Sequence, residues 1–238
     1  MADVGGKNCK IISHFSEGGC YVCRLDNFVH ATRLWYTGCM KRQVIFIHGG
    51  ETFDEYEDYI EYLNRYEFNP AKEKDKRWKD SLGERLGDGF EVMAPAMPSK
   101  YNAKYREWKI WFEKTFPYIH DGVILVGHSL GGIFLAKYLS ENNFPTKICA
   151  TYLIAAPYDS DNSEYSLADF ILPDSLKKFE EQGGTIFIFH SEDDPIVPFV
   201  DLEKYLRALP SAVKVAFKDK NHFMDEEFQE LIDSIKNL

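Results

Sequence analysis

From Gln43 onward, short apolar runs rich in β-branched residues alternate with longer stretches in which apolar residues recur at three- and four-residue steps. Six runs read as strands: Val44–Ile47, Glu91–Ala94, Val123–Val126, Ala150–Ile154, Thr185–Phe189 and Val213–Phe217. Most are continuously apolar, the pattern of parallel strands covered on both faces. Seven stretches between them read as helices: Asp54–Tyr66, Trp78–Leu86, Ala103–Phe116, Ile133–Ser140, Asp174–Gln182, Val200–Ala208 and Glu226–Ile235. In the first, Tyr56, Tyr59, Ile60 and Leu63 fall on one apolar stripe. This alternation predicts a three-layer α/β architecture, a mainly parallel sheet of about six strands with helices on both faces.

Two segments interrupt the rhythm. The mixed-charge run Lys72–Arg77 reads as a solvated loop or the exposed start of the Trp78 helix. Pro157–Pro173, rich in Asp, Ser and Asn, follows a strand directly and is a candidate partial lid, because loops at that end of such a sheet line ligand crevices. At about 17 residues it is too short for a separate cap domain.

The 45% hydrophobic content supplies a sizeable core and excludes a wholly disordered chain. A net charge of -10 repels phosphate backbones, so nucleic acid is not an expected partner. No apolar run reaches the roughly 18 residues of a membrane span, and the N-terminus has no basic flank followed by an apolar stretch. The expected location is the cytoplasm, where cysteines stay reduced.

Four of the five cysteines, Cys9, Cys20, Cys23 and Cys39, fall in residues 1–39. Their spacing, one close pair and two singletons, does not match the two close pairs of a zinc ribbon, so no metal is expected. Residues 1–39 therefore read as an atypical leader. It is either an upstream extension before a chain starting at Met40, or a set of edge strands at Lys10–Phe15, Tyr21–Leu25 and Arg33–Tyr36. Residues 40–238 read as one catalytic domain.

The chemistry concentrates where strands give way to loops. Gly127-His128-Ser129-Leu130-Gly131 sits between an apolar strand and a helical stretch, the setting of a nucleophile elbow. Small residues two before and two after Ser129 would let a sharp turn form without backbone clash. A serine hydroxyl needs a neighbouring base. Among seven histidines only His222 lies in a polar loop between the last strand and the last helix. The acid that would orient it comes from Glu192-Asp193-Asp194, with Asp194 the choice, Asp193 and Glu192 its neighbours and Asp159 the outside candidate. The order Ser129, Asp194, His222 is that of α/β-hydrolases. The backbone N–H groups of Gly50, in His48-Gly49-Gly50, and of Leu130 are the expected oxyanion donors.

On these motifs, together with Asp193-Asp194-Pro195-Ile196-Val197-Pro198 and Asn221-His222-Phe223, residues 43–238 resemble the small single-domain α/β-hydrolases. The group they most resemble is the one typified by the retinoblastoma-binding serine hydrolase and its bacterial relatives. The resemblance implies Ser129 as nucleophile, Asp194 as acid, His222 as base and no large cap domain.

The expected activity is that of a serine hydrolase cleaving an ester, thioester or other activated acyl compound through an acyl-serine intermediate, with no cofactor. Tyr101, Tyr158 and Phe199 are candidate pocket walls, beside Trp108, Trp111 and Phe112, which as aromatics at helical spacing are also natural core residues. The alternative is a protein-interaction module that keeps the scaffold with little turnover, its ligand a protein partner in place of a small acyl substrate.

Overall fold

The computed structural model describes residues 40–70, 76–161 and 165–238. The four leader cysteines and most of the Lys72–Arg77 run lie outside the described residues. Six strands form one sheet: β1 (Arg42–Ile47), β2 (Phe90–Met93), β3 (Val123–His128), β4 (Ile148–Ile154), β5 (Thr185–Ser191) and β6 (Val213–Phe217). Their order is β2-β1-β3-β4-β5-β6, and every neighbouring pair is parallel. The chain leaves β1 to one side for β2 and returns to its other side for β3. The crevice at the ends of β1 and β3 is thus the topological switch point, where such sheets bind ligands.

The period-two alternation of each strand splits the core into two layers. Ile45, Ile47, Val123 and Leu125 face a cluster built with α3 (Tyr105–Glu113), α4 (Leu130–Glu141), α5 (Lys177–Gln182) and α6 (Val200–Ala208). Val44, Phe46, Ile124 and Val126 face the opposite cluster, built with Trp78, α2 (Leu82–Leu86) and α7 (Gln229–Lys236). The result is the three-layer fold predicted from the sequence. Burying one large apolar side chain contributes about 1.5–3 kcal/mol, which makes these two layers the principal source of stability. In α4 nearly every position is buried, as in a helix that is apolar all round.

The observed elements depart from the predicted ones in instructive places. Helix α4 begins at Leu130 rather than Ile133, because the turn at Ser129 feeds straight into it. The helix α1 (Tyr56–Arg65) forms, yet none of its residues is buried. Its rings pack on one another and on Phe53, at 5.6 Å to Tyr59 and 5.3 Å to Tyr62, instead of entering the core. The Pro157–Pro173 segment carries a 3₁₀ turn, Ala168–Phe170, whose Phe170 is fully buried. It is tied back by Thr52 Oγ1 donating to the Ser166 carbonyl and by the Tyr105 N–H donating to Asp169. Among the described residues no helix is long and apolar enough to cross a membrane.

Candidate active site

Ser129 sits between the last residue of β3 and the first of α4, with φ 54° and ψ −123°. A non-glycine residue in that region is strained and persists only where its surroundings over-determine it. Here the Ser129 N–H donates to the Ile154 carbonyl at 2.8 Å, and its own carbonyl accepts from Gly132 at 2.8 Å. The flanking glycines are required by close approach. A Cβ on Gly127 would lie 2.4 Å from the Gly131 carbonyl oxygen, and one on Gly131 would lie 2.2 Å from that of Ile47. Together they let α4 start against the ends of β3 and β1, with Ser129 lifted at the helix N-terminus.

The turn after β1 packs directly on this serine. A Cβ built on Gly49 would be 3.0 Å from Ser129 Cβ and 3.5 Å from its Oγ. His48 shapes the turn: its Nε2 accepts the Met97 N–H at 2.9 Å, so the proton is on Nδ1, which donates to the Gly49 carbonyl. Burial lowers the His48 pKa, in keeping with a neutral ring. The Glu51 N–H is spent on the Lys100 carbonyl at 2.8 Å. The N–H groups of Gly50 and Leu130 donate to no other described residue, that of Leu130 because it opens a helix. Neither is spent within the described fold.

Asp194 and His222 meet from the loops after β5 and β6. His222 Nδ1 lies 2.9 Å from Asp194 Oδ2 and 3.1 Å from Oδ1, and the carboxylate side chain is fully buried. Asp194 Oδ1 also accepts the N–H groups of Ile196 and Val197 at 2.8 and 3.0 Å, which fixes its rotamer. The neighbouring acids are engaged elsewhere. Asp193 accepts from Ser191 Oγ and from the Asn221 N–H, Asp159 pairs with Lys204, and Glu192 is exposed. Among the described residues Ser129 Oγ has no hydrogen-bond partner, so in this resting arrangement the serine and the imidazole are not yet bonded. Such bonds commonly tighten only when substrate is bound.

The proposed pocket residues are scattered. Tyr101 lines a cavity of about 320 Å³ with Tyr59, Asn102 and Glu107. Tyr158 packs edge-on against Tyr205 at 4.9 Å, and Phe199 against His190 at 5.7 Å. Trp108 and Phe112 are fully buried, whereas Trp111 is half exposed. A larger cavity of about 660 Å³ lies beside the turn after β1, lined by Glu51, Phe53, Asp58, Tyr62 and Tyr165. Burial raises the Glu51 carboxyl, an effect that nearby His222 partly offsets. Sequence reasoning did not single out Glu51, because nothing in its neighbours signals its proximity to a histidine far along the chain.

Residues 71–236 match the family described as "Serine hydrolase". The chain is 29% identical over 153 residues to the rat protein named Serine hydrolase RBBP9, covering 63% of this chain and 78% of that protein. Its fold is similar to that of the ydeN gene product of B. subtilis, with a TM-score of 0.66 at 20% identity, covering 83% of this chain and 98% of that one. It is also similar to serine hydrolase CCSP0084 of Cycloclasticus zankles, with a TM-score of 0.57 at 11% identity, covering 83% and 89%. These two likenesses support the α/β-hydrolase fold, and the family match extends over most of the chain. With a serine at a strained strand–helix turn and an Asp–His pair on the loops after β5 and β6, the chain belongs to the serine hydrolase family.

Proposed function

We propose that this hydrolase cleaves an ester, thioester or similarly activated acyl compound by way of an acyl-Ser129 intermediate. His222 Nε2 takes the Ser129 Oγ proton as Oγ attacks the acyl carbon, and then gives that proton to the leaving group as the acyl bond breaks. A water then loses its proton to the same nitrogen as it attacks the acyl carbon, and His222 returns that proton to Ser129 Oγ as the acyl–oxygen bond breaks, releasing the acid and restoring Ser129. Asp194 holds the Nδ1–H tautomer and stabilises the imidazolium formed at each attack. The N–H groups of Gly50 and Leu130 stabilise the oxyanion, each worth on the order of 3 kcal/mol of barrier. The cavity beside Glu51 adjoins this turn and offers room for a small-molecule substrate.

The single observation that carries the reading is the buried Asp194 carboxylate on His222 Nδ1 at 2.9 Å. It leaves Nε2 as the nitrogen free to act on a serine. Labelling with a fluorophosphonate probe tests it. Wild type is expected to label at Ser129 at neutral pH, and Ser129→Ala and His222→Gln are expected not to. A folded wild type that stays unlabelled would favour the interaction-module alternative.

A further inference from the structure

We propose that His128, the residue before the serine, is a positioning residue that holds the catalytic base in place through the base's own backbone. This rests on the acyl-transfer reading above. The His128 ring lies 5.0 Å from the His222 ring, and its Nε2 is 2.9 Å from the His222 carbonyl oxygen. A carbonyl can only accept, so Nε2 carries the proton. His128 is fully buried, and desolvation holds it neutral, which keeps that tautomer single. Its other nitrogen, Nδ1, is buried with no partner in the described residues. The ring thus makes one directed hydrogen bond, and that bond goes to the base.

The loop it holds is under strain. Asn221 and Phe223, on either side of His222, have φ of 46° and 53°. Non-glycine residues stay in that region only where other contacts force them to. Four consecutive residues are gripped by side chains from elsewhere in the fold. The Lys220 N–H donates to Ser191 Oγ at 2.9 Å, and the Asn221 N–H donates to Asp193 at 2.9 Å. The His222 carbonyl accepts from His128, and the Phe223 carbonyl accepts from Trp78 Nε1 at 2.9 Å. Of these, only His128 is covalently next to the nucleophile. A shift of the serine turn is passed to the imidazole through one side chain, so serine and base keep their relative position while Asp194 sets the ring's tautomer.

The test compares His128→Leu, which removes the donor, with His128→Gln, whose amide can replace the Nε2–H. With p-nitrophenyl acetate, His128→Leu is expected to lower kcat about 10- to 100-fold, the scale of an ångström of misplacement, with KM changed far less. His128→Gln is expected to recover most of that loss. In proton NMR, the hydrogen-bonded His222 Nδ1–H resonance should broaden or vanish in the leucine variant and return in the glutamine variant. Should His128→Leu not fold, His128→Phe, which keeps an aromatic ring in the site and removes the donor, should show the same kcat loss and the same broadening. Wild-type kcat in His128→Leu, or equal losses in His128→Leu and His128→Gln, would overturn the proposal. If wild type turned over no acyl substrate, the activity reading would fall and the NMR comparison alone would decide: a resonance unchanged in His128→Leu overturns the positioning role, and one lost and restored supports it.

Discussion

Asp194 binds His222 Nδ1 with both carboxylate oxygens while two backbone N–H groups fix one of those oxygens. An amide at this position would offer an N–H where the ring also has one, or would force the other tautomer. Asp194→Asn is therefore expected to lower kcat by about 10⁴ with little loss of fold. Asp159→Asn, which loses only the pair with Lys204, should stay within about threefold of wild type. Steady-state kinetics on p-nitrophenyl esters compare the two. Equal losses would mean that the carboxylate beside the ring is not the one that matters.

Ser129 holds a strained backbone for the sake of its hydroxyl. Glycine tolerates φ 54° at no steric cost, whereas alanine keeps the Cβ and the strain. Both Ser129→Gly and Ser129→Ala should abolish turnover. In thermal melts Ser129→Gly is expected to be about 1 kcal/mol more stable than Ser129→Ala, a difference of roughly 2–4 °C for a domain of this size. Identical melting temperatures would show that the turn stores no strain.

The elbow was legible because covalent neighbours define it: strand, two glycines and helix lie within a dozen residues of Ser129. The sheet was legible for the same reason, since apolar runs covered on both faces need no distant partner to be recognised. What the chain could not announce were choices made by residues far apart. Asp194 and Asp193 are adjacent and chemically alike, and only the loop geometry turns one to His222 and the other to Ser191 and Asn221. His128 read only as one residue of the elbow because the carbonyl it serves is 94 residues away. Periodicity showed that α1 has an apolar stripe but not what faces it, and the helix lies on the surface.

The glycines around the site differ sharply in what they can bear. On Gly131 a methyl group would meet the Ile47 carbonyl at 2.2 Å, a backbone atom that cannot rotate away. Gly131→Ala is expected to cost about 3 kcal/mol or more and to reduce activity by separating α4 from β1. On Gly50 the contact is the Lys100 carbonyl at 2.7 Å, so Gly50→Ala should shift the turn that offers the oxyanion donor. Its expected signature is a kcat loss of about 10²–10³ with a smaller stability change. Gly87, away from the site at the C-terminus of α2 with open space but φ 86° and ψ −175°, should cost about 1–3 kcal/mol as alanine and leave kcat unaltered. Urea melts and kinetics on the three variants check the order, which would be refuted if Gly131→Ala were the mildest.

Three imidazoles, those of His128 and His190 buried and that of His48 half-buried, tie stability to pH. Burial lowers His48 and His190 from 6.5 and takes His128 well below it. Below pH 6.5 the unfolded chain gains protons that the folded chain does not, so unfolding becomes easier as pH falls. The stabilisation is complete above 6.5 and is lost toward the folded values, at up to about 1.4 kcal/mol per pH unit for each ring. Glu51 and Asp201, raised by burial from 4.5 and 3.8, act in the opposite direction, because their desolvation penalty relaxes as they take up protons at the acid end. Between pH 7.5 and 5.5 the histidines should dominate, with stability falling in denaturant titrations as pH is lowered. His190→Gln, which can still donate to the Val197 carbonyl but does not titrate, should make that fall shallower. A flat stability between those pH values would mean that these rings are not held neutral by the fold.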